Sequence, residues 1–356
     1  MKSRRLACLL ACSASVAAHA HTFCVSSASD LTSALSAAQT TYKNEDNEVD
    51  ITHGTYFGNW TYGIGNTHGI IIRGGFFSFF DGCAQDANPD ASLTVLDAAE
   101  SGTVLSILPQ PGKATSGAVT ITDLTFAHGR ESVQTNGAGL FVGFIGLYTG
   151  DVLIERNIFR NNTNTTPTGG GAGVVASIGG VLTVRNNMFF DNTAHAWSAL
   201  SMFNSAGHAN VTNNTIAYNF LNGSFASNAM VSYSGNGDAY AAFVNNITVY
   251  TLGTGSAISL NSRMALFNND IDTSNGSPDP SSNGTINVDP RFVDSVNGNL
   301  HLRPDSTLIN HGTDTNNVLF GGMSSYDLDG NDRVIGPAID LGAYESDILF
   351  RDGFDP

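Results

Sequence analysis

The sequence contains few basic residues. Among 356 residues there are 15 Lys and Arg against 31 Asp and Glu, which gives a formal net charge of −16 at pH 7. A surface with this excess of negative charge repels nucleic acid and anionic membranes. We therefore expect neither as a partner, and a polyanionic ligand would need a bridging cation.

Long apolar segments are also scarce. The run at residues 6–18 follows three basic residues and ends beside Ala18-His19-Ala20, a small-residue cleavage site. This arrangement predicts a secretory signal peptide over residues 1–20, with lipidation at Cys12 as the alternative. No other segment reaches the ~20 apolar residues of a membrane span, so we expect a secreted or cell-surface protein with no membrane insertion. Cleavage leaves 12 basic against 31 acidic residues and a formal charge of −19.

Cysteine is nearly absent from the mature chain. Two of the four cysteines lie in the signal peptide, and only Cys24 and Cys83 remain. An even pair in an exported chain predicts one disulfide, with two free thiols as the alternative. The long loop that it closes would stabilise the fold by about 4 kcal/mol in the chain-entropy model.

What the sequence does contain is a repeat. Residues 152–162, 182–192 and 210–219 share one short apolar and Asn-rich pattern. Aligning the copies gives one apolar column of Ile121, Ile154, Val184, Val211, Phe243 and Leu266. A second column comprises Leu140, Val174, Leu200, Met230 and Ile258. The copies are rich in Val, Ile, Thr, Phe, Asn and Gly, which indicates stacked strands and tight corners rather than helices.

Asparagine gives the most specific indication of stacking. One corner would contain Asn157, Asn187, Asn214, Asn246 and Asn269, and another Asn162, Asn192 and Asn219. Asn tolerates a left-handed backbone at a corner. Its amide can also donate to the coil on one side and accept from the other, as in a stacked ladder. The sequence therefore predicts two asparagine ladders.

These patterns predict an all-β fold, a single-stranded right-handed parallel β-helix with an N-terminal amphipathic capping helix. Residues 21–48 form the predicted N-terminal cap, with its helix at 26–40. Residues 49–288 form the coils, interrupted by a loop or hinge at 272–287. Residues 289–345 form terminal coils and a C-terminal cap, and residues 346–356 form a tail. We expect a monomer.

The C-terminal part carries three motifs in a recognisable order. They are Asp289-Pro290-Arg291-Phe292, Gly298-Asn299-Leu300-His301-Leu302-Arg303-Pro304-Asp305-Ser306 and Asp340-Leu341-Gly342-Ala343-Tyr344-Glu345. They resemble the terminal segment of bacterial choice-of-anchor Q proteins, parallel β-helix proteins of the pectin-lyase-like superfamily. The tail is similar to short C-terminal tails on exported proteins of Gram-negative bacteria. The resemblance implies a fold and a surface location, and it implies no reaction.

Familiar catalytic signatures of that superfamily are missing. The chain lacks the Gly-His-Gly and Arg-Ile-Lys stretches of polygalacturonases and the Gly-x-Val-Asp-Phe-Ile-Phe-Gly stretch of pectin methylesterases. The regular coils also offer no Lys as a lyase base. We therefore expect a carbohydrate-binding or interaction protein. A polysaccharide lyase or glycoside hydrolase with a non-standard site is the alternative, and an adhesin is the second alternative.

The alignment also contains one column of polar and aromatic residues, with one residue per coil, which we call the polar file. Its members are His128, Asn161, Asp191, Tyr218 and Tyr250, and Trp197 is expected to overhang them. Rings that stack on sugars beside polar groups that bind hydroxyls predict a groove for a polysaccharide or a cell-surface glycan. The alternative is a solvated face with rings packed on loop stems. If the groove is catalytic, the candidates are His195, Arg130 and Asp191.

Several charged residues have simpler interpretations. Glu155 and Arg185 are predicted to form a surface pair worth at most about 1 kcal/mol. Arg156 and Arg160 lie on one coil, where they could contact an acidic sugar or acidic side chains. We expect no cofactor, with calcium as the alternative. Asp327, Asp329 and Asn331 alternate like the start of a calcium loop, but position 12 of that loop is Ala338 rather than Glu. Pairing of Arg333 with Asp340 or Glu345 is the simpler account of this corner.

Overall fold

Parallel strands stack coil upon coil into four sheets. The computed structural model describes residues 20–65, 67–79, 82–86, 89–113, 115–132, 136–144, 147–167, 170–223, 228–316 and 320–346. The predicted signal peptide and tail lie outside these residues, apart from Ala20 and Ser346. Sheets 1, 2, 3 and 4 are visited in that order within each regular coil. The fold is a parallel β-helix, as predicted.

The strands have the following bounds. Sheet 1 contains His21–Val25, Asn47–Thr52, Ile70–Phe79, Val119–Thr122, Val152–Glu155, Leu182–Arg185, Ala209–Thr212, Ala241–Val244 and Met264–Phe267, with Gly82–Gln85 antiparallel to Ile70–Phe79. Sheet 2 contains Gly54–Phe57, Thr94–Asp97, Thr125–Ala127, Ile158–Arg160, Met188–Phe190, Thr215–Ala217, Ile247–Val249 and Asp270–Ile271. Sheet 3 contains Arg130–Glu131, Thr163–Asn164, Thr193–Ala194, Phe220–Leu221 and Leu252–Gly253. Sheet 4 contains Trp60–Ile64, Leu105–Pro109, Leu140–Gly143, Val174–Ile178, Leu200–Asn204, Ala229–Gly235, Ser256–Ser259 and Ser274–Asn275.

The core fills the interior of the coils. All six residues of the first predicted column pair in register along sheet 1 and are buried. Opposite them, the rings of Phe126, Phe159 and Phe189 stack at 4.9 Å between centroids. The second column needs one correction, because Val231 rather than Met230 pairs with Leu200. The alignment placed the column residue directly after a Gly or Ala, whereas the strand Ala229–Gly235 begins two residues before the partner of Leu200.

Both predicted asparagine ladders are confirmed. In the first, Asn157 Nδ2 donates to Asn187 Oδ1 at 3.1 Å, and Asn187 Nδ2 donates to Asn214 Oδ1 at 2.9 Å. The ladder continues through Asn246 to Asn269. In the second, Asn162 donates to Asn192 and Asn192 to Asn219, at 2.9 and 2.8 Å. These buried amides also satisfy backbone groups at the corners, which would otherwise be unpaired.

The N-terminal end is closed as the sequence predicts. Helix Ala28–Thr40 begins after Ser27, whose hydroxyl accepts from the backbone of Asp30 at 3.1 Å. Its apolar face packs into the open end of the core through Leu31, Ala34, Leu35 and Ala38. The predicted disulfide joins Cys24 on the first strand of sheet 1 to Cys83, with 5.4 Å between Cα atoms. No helix among the described residues is both long and apolar enough to cross a membrane.

Residues 272–287 form the loop of the two predicted alternatives, and this loop closes the other end of the coils. Their backbone donates to the last coil from Asp279, Asn283 and Ile286, at 2.8, 2.9 and 2.8 Å. The segment therefore occupies the free strand edges, which would otherwise be open to pairing with another chain. Its Ser, Asn, Gly and Pro residues present a polar outer surface there.

Residues 289–345 differ most from the prediction, because they cover the flank of the helix rather than its end. Their described part, residues 289–316 and 320–345, packs on the outer face of sheet 2 and buries a second apolar core. From sheet 2 this core includes Ile158, Met188, Ala217, Ile247 and Val249, and from the segment Phe292, Leu300, Leu302, Leu308, Leu341 and Tyr344. Sheet 2 is thus apolar on both faces, and a strand with two apolar faces needs a cover on each side.

Candidate functional site

The five residues of the predicted polar file share one corner between sheets 2 and 3. Each follows a strand of sheet 2 and has a left-handed backbone, with φ between 50° and 57°. Because the strands before them pair in register, the five side chains follow one another along the helix axis. The two ends of this file have different surroundings.

At the C-terminal end of the file, the two tyrosines contact residues 289–305. Tyr218 donates its hydroxyl to Ser295 Oγ and Tyr250 donates to Asp289 Oδ1, both at 2.8 Å. Their rings lie 4.9 Å apart and are partly buried. Burial and the Asp289 carboxylate raise the pKa of Tyr250 well above its usual range. Both tyrosines therefore anchor the flanking segment, which is the packing role that the sequence left as the alternative.

At the N-terminal end, the file is accessible to solvent. His128 Nδ1 contacts Asp97 Oδ2 at 2.8 Å, which leaves its other ring nitrogen for a ligand. Asn161 Nδ2 donates to Asp191 Oδ2 at 2.7 Å. Partial burial raises the pKa of Asp191, and the Asn161 amide opposes that shift. Donors and acceptors from successive coils thus alternate along this exposed corner.

The remaining predicted residues lie elsewhere. Trp197 is on the next corner, between sheets 3 and 4, and packs edge-on against Phe203 at 5.7 Å, so its ring is tied to sheet 4. His195 lies on the same corner, and its Nδ1 is buried with no hydrogen-bond partner in the described structure. Arg130 lies 3.6 Å from Glu100. Arg130 and Asp191 therefore contact different residues, Glu100 and Asn161, and no contact in the described structure joins either of them to His195.

A cleft of about 390 Å³ opens beside this corner, at the edge of the cover that residues 289–345 form on sheet 2. Its floor includes Thr125, Ile158, Arg160 and Met188, and its walls include Asn297, Asn299, His301, Asp329 and Tyr344. The lining combines apolar carbons, two rings, side-chain amides and charges of both signs. Such a mixed concave surface is typical of ligand sites.

Arg160 is the distinctive group in this cleft. Arg160 is exposed, and its guanidinium has no ion pair or hydrogen bond within the described part of the chain. The other predicted arginine, Arg156, is held by Asp123 through two contacts of 2.7 and 2.8 Å. Of these two arginines, Arg160 is the one whose guanidinium is free to contact a ligand.

The sequence did not single out His301 as a functional residue. Its Nε2 contacts Asp329 Oδ2 at 2.5 Å and its Nδ1 contacts Asn299 Oδ1 at 2.7 Å. Its ring lies 4.0 Å from that of Tyr344. The alternation of Asn299 and His301 on one strand was visible, but Asp329 is 28 residues further along the chain. Pairing at that distance has no local sequence signal.

The predicted calcium residues have other partners here. Asp327 accepts from the backbone of Asp329, Asn331 and Glu345, at 3.0, 2.8 and 2.9 Å. Among the described residues, no group of three His, Cys, Asp or Glu side chains is arranged to hold a metal ion. Calcium binding at this corner stays a prediction.

The predicted pairing of Arg333 is confirmed nearby. The buried guanidinium lies 3.4 Å from Glu345 and donates to the carbonyl of Asp340 at 2.8 Å. It therefore fixes the corner on which Asp327 and Asp329 lie.

Two comparisons with known proteins found no match. Neither a protein-family model nor a curated protein matches this chain. Any function must therefore be argued from the site itself, and the resemblance of the C-terminal motifs stays a prediction.

Proposed function

We propose that the chain is an exported, secreted or surface-associated protein that binds a polysaccharide or a cell-surface glycan. The binding site comprises the cleft on sheet 2 and the adjoining corner formed by His128, Asn161 and Asp191. The observation that carries the proposal is Arg160, an exposed guanidinium in a cleft that also contains the half-buried imidazole of His301 and two side-chain amides.

The chemistry of the lining suits a sugar chain. Amide, carboxylate and guanidinium groups exchange hydrogen bonds with hydroxyls, and the half-buried imidazole of His301 can pack on the C–H face of a pyranose. The cleft volume lies within the range of about 300–1,000 Å³ that is usual for ligand pockets. The polar corner extends the cleft along the helix axis by one group per coil, as an extended polymer requires.

The proposed location rests on separate observations. The N-terminal sequence predicts a signal peptide, and the Cys24–Cys83 disulfide is compatible with an oxidising compartment. The C-terminal motifs resemble those of bacterial choice-of-anchor Q proteins, which supports attachment at a cell surface.

A second candidate function is hydrolysis or lyase chemistry on the same glycan. The contact between His128 and Asp97 supports it, because a carboxylate that orients one ring nitrogen leaves the other to accept a proton. An adhesin would use the same surface without turnover. Product formation therefore separates the enzyme from the binding protein and the adhesin.

The test is a glycan array probed with the mature protein, followed by incubation of each bound glycan with and without calcium. We expect binding of at least one glycan class without cleavage. Arg160→Gln should bind less, whereas Arg130→Gln, which removes a cation outside the cleft, should bind like the parent. Cleavage would favour the enzyme, and an array with no bound glycan would contradict the proposal.

A further inference from the structure

A second cleft, of about 510 Å³, lies on the outer face of sheet 1 near its C-terminal end. Its floor contains Ala242 and Ala265, which pair in register on adjacent coils. The same outward column on preceding coils contains Leu153, Thr183 and Asn210. The floor is lower than the rest of the face because two alanines replace longer side chains. We call this surface the alanine shelf.

Aromatic rings stand on both sides of the alanine shelf. Phe267 and Phe320 lie 5.4 Å apart between centroids, at an interplanar angle of 49°. Tyr240 lines the cleft and stacks on His208 at 4.0 Å. Because each ring packs against a second ring, its orientation is fixed before a ligand arrives. A rigid ring costs little conformational entropy on binding.

The rim of the shelf is polar and acidic. It contains Asp238, Ser262, Asp279 and Ser281. Arg263 also lies there, and its Nη1 donates to the carbonyls of Gly237 and Ala239. The shelf therefore combines a flat apolar floor, fixed rings and a rim of carboxylates and hydroxyls.

These features match one ligand class. A hexopyranose has C–H groups on its faces and hydroxyls around its perimeter, so it can place its carbons on alanine and ring carbons while its hydroxyls reach the rim. The acidic rim disfavours a phosphorylated ligand.

We infer that the alanine shelf is a second glycan-binding site, specific for an uncharged hexopyranose unit. This inference rests on the proposed function for the ligand class, but it uses different residues on a different sheet. Two sites on one rigid helix would let one chain hold two strands of a polysaccharide or two segments of one strand. Each site would then raise the effective concentration for the other.

The test uses variants that fill the shelf without reaching the core. Ala265→Trp places a ring on the floor, and Thr183→Trp adds the same ring to the same column three coils earlier, outside the cleft. Phe320→Ala removes one wall and serves as the second variant if Ala265→Trp does not fold. Cellohexaose, mannohexaose and chitohexaose are the probes, and binding stoichiometry is measured by titration calorimetry.

We expect the parent and Thr183→Trp to bind two molecules of at least one hexasaccharide per chain. Ala265→Trp should bind one, and Phe320→Ala should bind the second molecule at least tenfold more weakly. A stoichiometry of one in the parent, lost on Arg160→Gln and unchanged in Ala265→Trp, would overturn the second site and leave the proposed function standing. A parent that binds no hexasaccharide and no glycan on the array would overturn both.

Discussion

Arg185 donates from Nε to Glu155 Oε1 at 2.8 Å and from Nη1 to the carbonyl of Gly321 at 3.1 Å. The pair predicted for the surface is therefore nearly buried beneath the flanking segment. Burial by itself raises the pKa of Glu155, but Arg185 and Arg156 bring it below its ordinary value. The pair thus contributes stability above the ordinary glutamate pKa, and this contribution is lost as the pH falls through the folded value.

Removing one partner of this pair should be costly. Arg185→Met leaves a carboxylate without its counter-ion in a nearly buried position, and we expect a loss of about 3–5 kcal/mol in urea unfolding at pH 7. Arg130→Met, which breaks the exposed contact with Glu100, is the matched control and should cost less than about 1 kcal/mol. Equal losses in the two variants would show that the flanking segment does not cover Arg185.

The first ladder should depend on its central members. Asn187 accepts from Asn157 and donates to Asn214, Ile154 and Arg185, so Asn187→Leu leaves several buried groups unpaired. Each such group costs about 1–3 kcal/mol, and we expect a loss of at least about 3 kcal/mol. Asn269→Leu, at the end of the file, should cost less. Indistinguishable melting temperatures for parent and both variants would contradict the ladder.

Asp270 should make stability fall as the pH rises. Its side chain is fully buried, with one oxygen accepting from Val288 at 2.9 Å and the other without a partner among the described residues. Burial, assisted by Asp272 and Asp289, raises its pKa to about 6. The protonated form therefore stabilises the fold below the ordinary Asp pKa of 3.8, and this contribution is lost as the pH rises through 6.

Unfolding in urea at pH 4, 5, 6 and 7 tests this dependence. Relative to Asp270→Asn, the parent should lose about 2 kcal/mol between pH 4 and pH 7. A constant difference between the two proteins across this range would show that Asp270 does not titrate there.

Tyr218 should act as an anchor of the flanking segment. Tyr218→Ala removes the contact with Ser295 and ring packing against Phe190 and Tyr250, so we expect a loss of about 2–3 kcal/mol. Tyr218→Phe keeps the ring and should lose about 1 kcal/mol. If Tyr218→Ala instead kept the parent's melting temperature and lost glycan binding, the ring would belong to an open groove.

The coils were predictable because each interior position recurs once per coil. Ile154 and Val184 need equivalent apolar positions, and Asn157 and Asn187 need equivalent corners, so both leave a period in the sequence. The disulfide followed from the cysteine count, and the capping helix from its apolar spacing behind Ser27. In each case the information is local or periodic.

The cover of sheet 2 left a weaker signal. Adjacent apolar residues such as Ile158-Phe159 and Met188-Phe189 show that both faces of the strand are buried. They do not show which segment covers the outer face, because residues 289–345 lie far along the chain and do not repeat. For the same reason the burial of Arg185 and the contact between His301 and Asp329 could not be predicted.

The most direct test of whether the cleft on sheet 2 is a glycan site is hydrogen exchange. It is measured with and without a glycan that the protein binds on the array. Binding there should slow exchange of the backbone amides at residues 158–161 and 297–301, and Arg160→Gln should reduce this protection while keeping the parent's melting temperature. Unchanged exchange at both segments in the presence of a bound glycan would contradict the account.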